Sequence, residues 1–150
     1  MVAVPVTPFV LKDVTMMIDV DNFEMHLSQV QFDPAAQTQT WKGLTPAAVF
    51  SDQSAPTWTC VLAYAQDWSK VETLSSYLFA NQGEVKHATF VPDVNTEQAS
   101  WDADIIISAG PIGGSVDAFA VGTVTLGVQG RPTPTYPLPL ARKAAKADKA

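Results

Sequence analysis

A chain of 150 residues is long enough for one domain with a real core, because folding at that size buries about 68–70% of the surface the unfolded chain exposes. Apolar residues make up 47% of it, yet no apolar run reaches the roughly 20 residues that span a bilayer, so no membrane-crossing helix is expected. Charge is divided: residues 1–130 set four lysines against fourteen acids, and residues 131–150 set five cations against Asp148 alone. A body carrying a net −10 argues against a nucleic-acid grip, since that affinity comes from Lys and Arg neutralising phosphates.

Residues 1–12 carry Pro5 and Pro8 and read as an extended arm without the basic opening of a signal peptide. Val14, Met16, Ile18 and Val20 alternate with other residues as a strand with one apolar face, and Asp21-Asn22 is a turn signal. Phe23, Met25 and Leu27 then share one phase and Val30 and Phe32 the other, which predicts a bulge at Ser28-Gln29. These two strands are close enough in sequence to pair as a hairpin. Residues 33–56 hold Pro34, Gly43, Pro46 and Pro56 and read as a long irregular loop. Its Trp41, Leu44, Val49 and Phe50 either fold back on the domain or meet a partner.

Alternation resumes at Trp58, Cys60, Leu62 and Tyr64. Ser69 to Glu72 spells a capping box, and the spacing of Val71, Leu74, Ser75 and Leu78 predicts a helix over about 70–81, stopped near Gly83. Strands follow at 84–91, 101–108 and 116–129, the last with a bulge expected at Gly122. Residues 131–150 form a proline-rich basic tail that reads as disordered. The fold class is therefore mainly β: an antiparallel β-sandwich or barrel with one flanking α-helix, the β domain running over 13–130.

No chemistry converges. His26 and His87 sit in strand runs with no nucleophile elbow, and Cys60, the only cysteine, shares the apolar face of Trp58 and Leu62. A single cysteine allows no intrachain disulfide, in keeping with a reducing compartment. Zinc would need more Cys and His, and Asp19 to Asn22 fails the calcium-loop pattern because Glu24 and Val30 stand where Gly and Glu are required. Gly110-Pro-Ile-Gly113-Gly114 lacks a phosphate loop's Gly-Lys-Ser/Thr ending. Asp102 and Asp104 share one face of a strand, more often a solvated face than an acid pair. No enzyme, cofactor or metal is expected.

Several pieces in order carry a resemblance: Phe9-Val-Leu-Lys-Asp-Val-Thr-Met-Met-Ile-Asp19, Val30-Gln-Phe-Asp-Pro34, Trp41-Lys-Gly43, Ala55 through Trp68, Tyr77-Leu-Phe-Ala-Asn-Gln-Gly83, and the closing strand from Val116 to Pro132. Over residues 9–133 the chain resembles a tail tube (major tail) protein of long-tailed bacteriophages. The resemblance implies a structural virion protein, assembled in the host cytoplasm, that self-associates into hexameric rings stacked as a tube. The genome passes through this tube without specific binding. It implies tape-measure, tail-terminator and baseplate proteins as partners. It makes Phe9, Leu11, Trp41, Leu44, Val49 and Phe50 candidates for subunit interfaces, and Asp19, Glu24, Asp102 and Asp104 candidates for an acidic lumen. The basic tail, an addition to a simple tube subunit, would lie on the outer surface or touch a chaperone or the tape measure. Alternatives are a contractile-tail or type VI secretion tube, a head–tail joining protein, or a ligand-binding barrel whose pocket is lined by Trp58, Leu62 and Tyr64.

Overall fold

The computed structural model describes residues 2–94 and 98–137. In chain order its elements are β1 (Thr15–Ile18), β2 (Asp21–Asn22), β3 (Leu27–Ala35), β4 (Thr38–Lys42), β5 (Val49–Gln53), β6 (Thr57–Ala65), α1 (Leu74–Ala80), β7 (Val85–Val91), β8 (Ser100–Ile106) and β9 (Val121–Thr135). Seven strands form one antiparallel sheet in the order β2-β1-β7-β8-β9-β6-β3, and β4 and β5 form a separate hairpin. The fold is thus mainly antiparallel β with one helix among the described residues, as the alternating runs predict.

Alternation places the core. On β6, Cys60, Leu62 and Tyr64 point inward, where they meet Met16 and Ile18 from β1, Ile105 from β8 and Leu126 from β9. The sheet curls so far that Phe32 on the edge strand β3 reaches Phe90 on β7, their ring centroids 6.0 Å apart. Leu74, Ser75 and Leu78 form the inner face of α1, and its two leucines join the same core. Each fully buried Leu or Ile of this kind contributes about 1.5–3 kcal/mol.

Several expectations are corrected. Residues 38–53 are not irregular: Trp41 and Phe50 face each other across a regular hairpin at 5.9 Å, the Thr40 and Ser51 hydroxyls lie 3.1 Å apart, and Gly43 N donates to Ala48 O at the turn. β1 and β3 do not pair; β1 lies between β2 and β7, and β3 pairs β6 at the opposite edge. The bulge between Leu27 and Gln29 does form.

The helix begins at Leu74 because the Ser69 hydroxyl and N–H go to Asp67 Oδ1 instead of capping, leaving Thr73 as the N-cap without a side-chain cap bond. Gly83, at φ 88°, ends the segment and donates to Ile107 O. The last strand starts at Val121, not Val116, and runs past Gly130 to Thr135, so the start of the basic tail belongs to the sheet. Residues 138–150 of that tail lie outside the described residues.

Gly122 marks close packing and no bulge. Its register against Tyr64 is unbroken, and a Cβ there would come within 3.0 Å of Pro111 and 3.1 Å of the Tyr64 ring. The ladder irregularity falls instead between Asp102 and Asp104 opposite β9, where Gly130 takes φ 80° and Pro132 needs no ladder partner.

Replacing Leu62 with Ala should cost about 2–5 kcal/mol, read as a lower denaturant midpoint. Leu44→Ala, at the exposed hairpin turn, should move the same midpoint by less than about 0.5 kcal/mol. Equal losses at the two positions would refute this placement of the core.

Candidate assembly interface

The β4–β5 hairpin leaves the sheet between Ala35 and Thr57, and its neck is closed by Ser54 N donating to Gln37 O at 2.8 Å and Gln37 N donating to Ser54 Oγ at 2.9 Å. Both strands are exposed along their whole length. Trp41, Leu44, Val49 and Phe50 therefore point into solvent rather than back onto the domain. Two-stranded ribbons are at best marginal in water alone. These four candidates are brought together on one projection. Phe9 and Leu11 lie elsewhere, on an apolar groove of about 530 Å³ walled by Val30, Phe32, Trp58 and Trp101.

The solvent-facing side of the sheet is the second surface. Side chains that alternate with the core ones include Gln29 and Gln31 on β3, Thr59 on β6, Thr123 and Thr125 on β9 and Thr89 on β7, interspersed with small or apolar groups such as Val61, Ala63 and Val85. The charged groups on β3, β7 and β8 among them are Asp33, Asp102, Asp104 and His87, and on β9 Arg131 is exposed in the irregular stretch between Gln129 and Thr133, the partners of Asp104 and Asp102. Asp102 and Asp104 flank His87: its Nε2 lies 3.2 Å from Asp102 Oδ1 and its Nδ1 3.3 Å from Asp104 Oδ1, while Thr89 Oγ1 donates to Asp102 at 2.9 Å. Neutral imidazole has one N–H and can donate to only one of these carboxylates; imidazolium can donate to both.

Glu24 accepts from Thr15 Oγ1 at 3.5 Å. Asp19 sits apart, in the turn after β1 at φ 60°, its N–H donating to His87 O. Reading the sequence missed Asp33 and its amide chain, in which Gln29 Nε2 donates to Gln31 Oε1 and Gln31 Nε2 to Asp33 Oδ1 at 2.6 Å. The period-two spacing of those three residues was the available signal.

Leu62 and Tyr64 are packed solidly in the core, so they line no ligand pocket; only Trp58 reaches the groove. Cys60 is fully buried, and burial, helped by the nearby Asp33 carboxylate, pushes its thiol up to about 12. Such a thiol is chemically quiet at neutral pH. The Ser69 hydroxyl, then its N–H, hold the Asp67 carboxyl below its usual range. Among the described residues no group of three or more His, Cys, Asp and Glu is arranged to hold a metal ion.

The pKa of Cys60 gives a pH signature. Its folded value is raised, so the native state keeps its proton where the unfolded chain has lost it; stability from this group is complete below about 9 and is lost as pH climbs toward 12. With a thiol reagent at pH 8, native Cys60 should react at least about a thousandfold more slowly than the unfolded chain. Comparable rates would show an accessible thiolate.

No family model matches the chain, and none of the curated proteins matches it significantly. Solved structures do. A chain of an extracellular contractile injection system, the PVC sheath–tube complex in its extended state, superposes with a TM-score of 0.64 at 14% identity, covering 87% of this chain and 93% of that one. A chain of the anti-feeding prophage's tube-terminating cap gives 0.63 at 16%, covering 91% and 95%. A chain from the tail of an empty gene transfer agent particle, refined helically with C6 symmetry, gives 0.54 at 15%, covering 73% and 82%. The fold is therefore that found in tube and tail assemblies of phage-like particles.

Proposed function

We propose that this chain is a structural subunit that self-assembles into stacked rings forming a tail tube. The observation that carries this reading is the β4–β5 hairpin, with Trp41, Leu44 and Phe50 held in solvent by a ribbon that packs on nothing in its own sheet. An apolar projection of this size on a stable domain marks a surface that another molecule covers. The likeness of the fold to chains of tube assemblies supports a second copy as that molecule.

Two further features fit. The edge strands β3 and β2 leave backbone donors and acceptors unpaired on their outer sides, and edge-to-edge pairing within a ring satisfies them. Six subunits is the ring size we propose, supported by the C6 symmetry of the gene transfer agent tail. The Thr- and Gln-rich sheet face then lines the channel. Its carboxylates Asp33, Asp102 and Asp104 repel DNA phosphates, so a genome slides through without sticking. Glu24 adds charge at the rim of that face, and Asp19 lies away from it. Tape-measure, terminator and baseplate proteins are the partners of such a tube, assembly takes place in the host cytoplasm, and the finished location is the virion tail. The role is structural, with no catalysis. The likeness to an injection-system tube complex favours a second reading, in which the same tube belongs to a contractile particle with a different cargo.

Two observations test this. The full chain, imaged by negative-stain electron microscopy over a concentration series, should form rings or hollow tubes. Joining Gln37 directly to Ser54, which removes residues 38–53, should leave a domain whose stability changes by less than about 1 kcal/mol and whose sheet spectrum is intact, but which forms no tubes. Tubes from the shortened chain would overturn the hairpin's role.

A further inference from the structure

The hairpin and a second exposed apolar surface lie at opposite ends of β6. The hairpin joins the sheet at Thr57, the first residue of β6, opposite Ala35. At the other end Ala65 pairs with Val121, and Gln66 N donates to Ala120 O, so the loop of residues 109–120 sits there, about 27 Å away along a nine-residue strand. That loop exposes Ile112, Val116 and Phe119, the last two more than 90% exposed.

This second surface is held in place. Gln66 Nε2 donates to both Gly113 O and Val121 O, and Gln66 Oε1 accepts from Gly113 N and from Trp68 Nε1. One side chain thus ties Gly113 within the loop to Val121 just past its end and to the adjoining Trp68, which in turn meets Phe79 of α1 edge-on at 6.3 Å.

Charge matches the two ends. Lys42 is the only cation on the hairpin, at its outer end opposite Val49 and next to Trp41. Asp117 is the only charged residue of the 109–120 loop, at φ 64° between Val116 and Phe119. Both are exposed, and among the described residues neither has an ion-pair partner in its own chain. Each end therefore sets a charge beside its apolar groups, Lys42 at the outer end of the hairpin, with Asp52 back toward the neck, and Asp117 in the loop, and the two facing charges are opposite. Complementary patches at opposite ends of one molecule make a head-to-tail contact that repeats without closing on itself, which builds a filament.

We infer that the 109–120 loop is the receptor for the hairpin of the subunit stacked above it, with Lys42 pairing Asp117 between Trp41 and Phe50 on one side and Val116 and Phe119 on the other. The inference rests on the tube reading and supplies the axial contact. The occupant is a second copy of this chain.

Charge reversal separates the outcomes. Lys42→Asp and Asp117→Lys alone each place like charges face to face, and each should raise the concentration needed for tubes by about tenfold or more. The double variant K42D/D117K restores the pair and should bring that concentration back to within about twofold of the original. Both sites are exposed, and circular dichroism with a denaturation midpoint confirms that each variant is folded. Wild-type tubes together with unaffected single variants, or with a double variant as poor as the singles, would overturn this contact while leaving the tube reading standing. A wild-type chain that stays monomeric throughout the series would overturn both.

Discussion

The alternation along β6 is the constraint on which the molecule depends. It is bonded on both sides, to β3 and to β9, and its inward residues Cys60, Leu62 and Tyr64 sit in the core. A one-residue slip against either neighbour would turn those three outward and bring Val61 and Ala63 into their places. The register is guarded from the end as well: Tyr64 leaves no room for a Cβ at Gly110, and at Gly122 a Cβ would be tight against both Pro111 and the Tyr64 ring. The same strand sets where everything functional lies, because the hairpin leaves one end of it and the pinned loop borders the other.

The domain divides its polarity by surface. Its core is mainly apolar, its outer sheet face carries Thr, Gln and carboxylate groups, and many of its large exposed apolar groups stand on the arm, the hairpin and the 109–120 loop. Such sorting suits a subunit whose sheet meets water and whose projections meet protein. It also explains why a chain with a net −10 body tolerates its own charge: Asp102 and Asp104 share His87, Asp33 receives an amide donor, and Glu84 sits 3.3 Å from Lys86.

How much of this could be read in advance follows from what each pattern encodes. Half-buried strands announce themselves by alternation, so β6, β7 and β8 were legible, as was the bulge before Gln29. The β4–β5 hairpin was not, because both its strands are exposed on both faces and carry no alternating contrast. The helix start misled for a different reason: Ser69 and Glu72 have capping-box spacing, but Asp67 competes for the serine's donors. Strand order is non-local and lies in no window of sequence, which is why β2 and β3, neighbours in the chain, end at opposite edges. For the candidate surfaces, Asp102 and Asp104 could be assigned one face by parity, but their meeting with His87 needs the β7–β8 register. Gln66, which fixes a whole loop, has no sequence signature at all.

β9 is fifteen residues long and bridges two neighbours in succession, pairing β6 over Val121 to Val128 and β8 over Gly127 to Thr135. It is the only strand of the described sheet that runs past the ends of both its partners' ladders in this relay. A pull along its axis therefore loads many ladder bonds at once in shear, instead of opening them singly like a zipper. In a filament that bends or is stretched, the sheet would behave as a stiff strut, and compliance would be confined to the hairpin and the loops that join one strut to the next.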